Sequence, residues 1–283
     1  MSYLRHIHKC NHYQAGNFLP FFVAGLQLGE VKHGFADQLL KISDSFHCDN
    51  EALYWDPPAN DFDSRSQAMS ELTERLLAAG LLPGCRDELF PVTAGQREQA
   101  IFLMDRALVP YFGVRAYGQH MNGYIRRNGE IHMWIGRRSL QKPHEPGKLD
   151  NMVAGGLPWG LSLRENLAKE CWEEAGIPAE LAARAEATGY IAYLYETELG
   201  LKPDTMYCYD LELPEDFTPR CTDGEVAEFQ LWPLERVAQQ VHDTDNVKAN
   251  CNLVIIDFLI RHGYIRGEHP EYAGLMKGLV GKL

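Results

Sequence analysis

Glu170, Glu173 and Glu174 stand at spacings of three and four residues. The segment Asn166–Ala175 that carries them lacks both Gly and Pro, which predicts a helix. On a helix Glu170 lies beside both other glutamates. Carboxylates gathered on one face repel one another unless a cation sits among them. Mg²⁺ (or Mn²⁺) suits such a face, because hard divalent ions take oxygen ligands. It would also bridge diphosphate oxygens and offset charge developing at phosphorus. A glutamate-rich face alone is commonplace on exposed helices, so the context has to decide. Here Gly155-Gly156 forms a tight loop upstream, Lys169 precedes the first glutamate, and Gly176 offers a helix stop. Ser162 and Glu165 have capping-box spacing, which fixes where the helix begins.

Other residues could serve the same chemistry. Arg137, Arg138, Lys142 and Lys148 form a basic cluster just before the glycine loop. They could hold diphosphate oxygens by charge-assisted hydrogen bonds, or pair with nearby carboxylates instead. Glu225, after the turn Thr222-Asp223-Gly224, is a candidate base or further metal ligand; a plain surface glutamate is the alternative. His120 and Asn122 precede a strand and could hydrogen-bond a heterocycle, with ordinary turn chemistry an equal alternative. Trp134, Trp159 and Tyr193 could stack on one, although core packing is the better explanation for each aromatic.

These residues need elements to position them. Asn122–Ile135 reads as a hairpin turning at Arg127-Asn128-Gly129, and Met152–Ala154 as a short strand feeding the glycine loop. Tyr190–Tyr195, Thr205–Leu213 and Glu228–Trp232 read as strands. Pro178–Ala187, Leu234–Val241, Asn252–His262 and Glu271–Leu279 read as helices. Upstream, Tyr3–Tyr13, Ser64–Ala79 and Glu98–Val109 are predicted helices, the last stopped by Pro110, while Asn17–Ile42 suits short strands and turns. The pattern changes near Ala116. The expected organisation is a smaller α+β module over residues 1–115, followed by an α/β unit over 116–283.

Composition narrows the function classes. A hydrophobic content of 45% over 283 residues permits one large or two modest cores. A net charge of −12 argues against nucleic acid as a partner. No run approaches the length of a membrane span and the first residues have no apolar leader core, so a cytoplasmic protein without a membrane partner is expected. Seven scattered cysteines without a Cys-x-x-Cys pair fit free thiols better than a disulfide framework or a zinc site.

The stretch Gly155–Ile177 resembles the signature of the Nudix hydrolases: Gly, five residues, Glu, seven residues, then Arg-Glu-aliphatic-any-Glu-Glu-any-Gly-aliphatic. It matches at Gly155, Glu170, Glu173, Glu174, Gly176 and Ile177. Leu161 stands where the first Glu belongs. Lys169 replaces the Arg that in the family holds a catalytic Glu by a forked hydrogen bond, and a lysine has no planar fork. The resemblance extends upstream through His120–Tyr124, Trp134–Ser139, Lys142 and Pro146–Asp150. That run is similar to a two-part Nudix subfamily of bacteria, plants and fungi, fused in fungi to thiamine pyrophosphokinase. The resemblance implies an α/β/α sandwich around a mixed sheet, with Glu170, Glu173 and Glu174 holding Mg²⁺. It implies hydrolysis of thiamine diphosphate, or its oxidised or damaged forms, to the monophosphate and phosphate. The signature reads only the diphosphate, so a nucleoside diphosphate or a nucleotide sugar remains an alternative substrate. A non-catalytic ligand sensor is the alternative from another class. The family often dimerises, so a homodimer is compatible with it.

Overall fold

The structure is a computed structural model and describes residues 1–49 and 51–279. Residues 280–283, the end of the expected second unit, lie outside the described part. The chain opens with α1 (Leu4–Lys9), β1 (Phe18–Val23), β2 (Leu26–Lys32), α2 (His33–Ile42), β3 (Phe46–Cys48) and β4 (Leu53–Trp55). The four strands form one sheet in the order β2-β1-β4-β3. There follow α3 (Phe62–Ala78), the hairpin β5 (Leu89–Val92) and β6 (Phe102–Asp105), and α4 (Val109–Phe112). Alternate residues Phe21, Val23, Leu53 and Trp55 face Leu39 of α2 and Met69, Leu72 and Leu76 of α3 across a shared core.

Two expectations for this part are corrected. Glu98–Val109 is not a helix. Phe102 and Met104 alternate into the core as part of β6, which pairs with β5, and Pro110 sits in the first turn of α4 rather than ending a helix. A proline lacks only a donor that the first turn leaves free anyway, so it starts a helix as readily as it follows one. The stretch Asn17–Ile42 contains strands and turns as read, but closes with the helix α2.

The second part holds β7 (Ala116–Arg127), β8 (Glu130–Arg138), β9 (Leu149–Asp150), β10 (Val153–Gly156), α5 (Leu163–Ala175) and α6 (Ala179–Ala182). It continues with β11 (Glu186–Glu196), β12 (Leu201–Glu212), β13 (Val226–Pro233), α7 (Leu234–Asp243), α8 (Ala249–Arg261) and α9 (Tyr272–Leu279). Pro178–Ala187, read as a helix, is one helical turn followed by the start of β11. The sheet runs β11-β12-β7-β8-β13, with β10 beside β7 and β9 beside β8. β12 lies parallel to β7 while the other pairs are antiparallel, so the sheet is mixed.

Side-chain alternation sorts its two faces. Met121 and Ile125 of β7 pack under Leu167, Cys171 and Ala175 of α5. Tyr124, Met206 and Cys208 face the other way, towards α7, α8 and α9. The result is the expected sandwich of helices around a mixed sheet. One element crosses between the parts. Tyr3, Ile7 and Cys10, from α1 and the residues flanking it, are buried among α8 and α9. Tyr3 donates its backbone N–H to Glu271, 268 residues away, at 2.9 Å.

Candidate active site

The sheet register places the glycine loop under the acidic helix. β10 pairs Val153 with Met121 and Gly155 with Gln119, so Gly155 looks towards α5. A Cβ on Gly155 would lie 2.3 Å from the carboxyl carbon of Glu170, so only glycine lets that carboxylate approach. The capping box is present. Glu165 N–H donates to Ser162 Oγ at 3.3 Å, and Ser162 N–H to Glu165 Oε2 at 2.9 Å. Gly176 ends the helix in the left-handed conformation. Inside, Asn166 donates to Gln119 and to the Gly156 carbonyl, both at 2.8 Å, tying the first turns of α5 to the loop.

The helix turns Leu167, Cys171 and Ala175 into the core and sets Glu170 and Glu174 against β10, while Glu173 stands half-exposed on Lys169. Glu174 is buried and accepts the Ala154 N–H at 2.7 Å. Burial pushes its carboxyl up to about 8, against that hydrogen bond, and the nearby carboxylates of Asp150, Glu170 and Glu225 push the same way. Burial also raises Glu170, with Lys169 opposing and Glu173 and Glu225 adding to the rise. Lys169 donates to Glu173 at 2.7 Å and to Glu170 at 3.2 Å. Burial would lower the Lys169 ammonium, but these bonds outweigh it and hold it above its ordinary range. Lys169 therefore bridges two glutamates as a point charge, leaving Glu174 among carboxylates.

The basic residues are brought to this end of the sheet, each already engaged. Arg137 pairs with Glu228 at 2.6 Å, Lys148 with Glu145 at 2.9 Å, and Lys142 with Glu225. Arg138 goes furthest inward. Its guanidinium meets Asp150 at 2.7 Å and donates to the carbonyls of His144 and Glu145, so it staples the 139–148 loop with all its nitrogens in use. Asn122 is likewise enclosed. It donates to Asp210 at 3.1 Å and accepts from Asn151 at 2.9 Å, at the foot of the sheet. Tyr193 is core, hydrogen-bonded to Asp204 at 2.7 Å, and Trp134 packs beside the α5 cluster.

A buried polar group behind Glu174 has no counterpart in the motif. Asp150 contacts Arg138 and, at 3.4 Å, Lys248, while Cys251 donates to its other oxygen at 2.6 Å. Burial would raise Asp150, but Lys248 and Arg138 outweigh it and hold the carboxyl at about 2. Burial, with Lys248 adding, lowers His120 to about 4 and keeps its ring neutral. Ligand atoms of His120, Asp150 and Cys251 lie within 4.8 Å of one another, spacing that a metal could use. Two cations already neutralise Asp150, and burial keeps Cys251 a thiol, which suits a hydrogen-bonded network instead. No sequence spacing signals Lys248, since its contact with Asp150 spans 98 residues.

All seven cysteines are unpaired, and among the described residues no helix is long and apolar enough to cross a membrane. A cavity of about 550 Å³ lies by Tyr124, Arg126 and Asp210, and none of its lining residues is a box glutamate.

The chain is similar to known proteins along nearly its whole length. The NUDIX domain matches residues 121–251, and a domain of unknown function, DUF4743, matches residues 2–116. Nudix hydrolase 20, chloroplastic, of Arabidopsis thaliana is 41% identical over 98% of this chain and 77% of its own length. Nudix hydrolase 24, chloroplastic, of the same plant is 42% identical over the same shares. Among solved structures, the NUDIX domain of NrtR from Shewanella oneidensis, crystallised with ADP ribose, is 13% identical. It aligns with a TM-score of 0.42 over 54% of this chain and 91% of that one. Relatives at this identity, matched along three quarters of their length, and an acidic helix seated on a glycine loop lead to one conclusion: the chain belongs to the Nudix hydrolases.

Proposed function

We propose that the protein is a Mg²⁺-dependent hydrolase of thiamine diphosphate and its oxidised forms, releasing the monophosphate and phosphate. The observation that carries the diphosphatase part is Glu174. It is a buried carboxylate aimed at the edge of β10, with Glu170, Asp150 and Glu225 around it. Such a group needs either a proton or a cation, and three oxygen-donor side chains at one helix end fit a hard divalent ion. The thiamine part rests on the likeness of the run from His120 to Ile177 to that subfamily.

In this reading Glu170, Glu173 and Glu174 hold the metal, which when bound would offset charge at the reacting phosphorus. Lys169 keeps Glu170 and Glu173 on one side of the helix. Arg137, Lys142 and Lys148 can exchange their carboxylate partners for phosphate oxygens, because each is partly open to solvent. Water attacks phosphorus in line with the leaving oxygen, the bridging P–O bond breaks, and a carboxylate takes the water's proton. Glu225 and the box glutamates are the candidates for that proton, and separate Gln variants distinguish them.

The test incubates purified protein and Mg²⁺ with thiamine diphosphate, its oxidised forms, nucleoside diphosphates, ADP-ribose and a nucleotide sugar, with chromatography of the products. Preferred release of thiamine monophosphate supports the proposal. Preference for a nucleotide keeps the hydrolase and discards thiamine. Silence across the panel favours a ligand sensor. Glu173→Gln should lose turnover by at least about a hundredfold while melting like wild type.

A further inference from the structure

The loop that launches the acidic helix is held from outside its own part of the chain. Residues 157–161 lie between the glycine pair and the helix cap. Arg97, in the connection between β5 and β6, is 7% exposed. One terminal nitrogen of its guanidinium donates to two carbonyls of this loop, those of Pro158 and, at 3.0 Å, Leu161. Its only carboxylate contact among the described residues is Glu98 at 3.5 Å, and its Nε has no partner there. The same hairpin accepts the Trp159 N–H at the Leu89 carbonyl, 2.7 Å. The Trp159 ring rests between Phe62 of α3, 5.9 Å away, and the Arg97 guanidinium, also at 5.9 Å. The buried guanidinium is thus held chiefly by two main-chain carbonyls of the loop, with the Glu98 carboxylate at the longer distance. Its geometry makes sense if the loop's shape is what matters.

Leu161, where the family pattern carries its first glutamate, is one of the two residues held by Arg97.

We infer that the N-terminal module is a clamp on the catalytic loop, with Arg97 as the positioning residue that fixes the backbone between Gly156 and Ser162. It thereby sets where α5 begins and where Glu170 meets Gly155. This inference rests on the hydrolase reading above. The clamp stands in for a restraint within the loop, and it gives the module a role in turnover.

Arg97→Met and Arg97→Lys of the full chain test it. Arg97→Met should lower kcat roughly 10- to 100-fold, because small displacements of reacting groups are that costly. KM should stay within about threefold, since no substrate contact is removed. Arg97→Lys keeps the charge and a nitrogen with several donors but is shorter and lacks the planar fork, so its kcat should fall between the two. Hydrogen exchange should accelerate about tenfold at the backbone amides of 157–166 in Arg97→Met, while the sheet β1–β4 keeps its protection. Wild-type kcat with wild-type loop exchange in Arg97→Met overturns the inference. So does a kcat that falls only in step with the unfolded fraction. If Arg97→Met does not fold, Arg97→Lys decides, with wild-type kcat and loop exchange counting against the clamp. A wild type that cleaves no diphosphate removes the hydrolase reading, and loop exchange still decides whether Arg97 holds the loop.

Discussion

Glycine 155 and glutamate 170 are a matched pair. Any side chain at 155 would meet the Glu170 carboxylate, so Gly155→Ala should push that carboxylate off the edge of β10. We expect kcat to fall on the order of a hundredfold, with the melting temperature shifting by only a few degrees; steady-state kinetics beside a thermal melt separate the two. Asp150 carries a different consequence. Its folded carboxyl is held at about 2 against an ordinary 3.8. A depressed acid contributes stability above the unfolded value and loses it as pH falls through the folded one. Wild type should therefore lose stability between about pH 4 and pH 2, measured by urea unfolding across that window. Asp150→Asn should flatten that portion of the curve. At neutral pH it should cost roughly 3–5 kcal/mol, since Arg138 and Lys248 are left buried without their counter-charge. The box glutamates, Lys169 and the capping pair were legible in the sequence because their relations are local and helical. Asp150 with Lys248, and Arg97 with Leu161, were not, because those contacts cross between elements with no shared periodicity.

At the level of elements, α5 is defined by its two ends. Ser162→Ala removes the side chain that accepts the Glu165 N–H and half of the reciprocal box. It should cost about 1 kcal/mol, read as a shifted urea midpoint with an unchanged slope. The β7–β8 hairpin and β11–β13 were readable from alternation and turn residues. The misread segment Glu98–Val109 shows the limit of that approach. A short continuous apolar run such as 101–104 fits a strand or a buried helix segment equally, and only its pairing with β5 decides between them. Pro110 was ambiguous for a similar reason, being as acceptable at a helix start as after a helix end.

On the scale of the molecule, the two large sheets and their helices are joined by specific contacts. The first part grips the loop before α5 through Arg97 and Leu89, and α1 fills a place in the core beneath α8 and α9. Ile7→Ala should cost roughly 2–5 kcal/mol, as for other fully enclosed aliphatic side chains. The loss should appear in the unfolding of the second sheet, followed by hydrogen exchange of β7 and β12, and not in β1–β4. That separation would place α1 energetically with the hydrolase fold although it precedes the first sheet in sequence.

The placement of α1 also dictates an order of events during synthesis. A ribosome delivers Tyr3 and Ile7 long before the helices that cover them, because the Tyr3–Glu271 contact spans 268 residues. The nascent chain must carry that short apolar face uncovered while the first sheet, the glycine loop and the second sheet emerge. Contacts of such separation are slow to form, and exposed apolar segments are where chaperones bind. The helices α8 and α9 thus act as a latch, and the sandwich is completed only when they enclose α1.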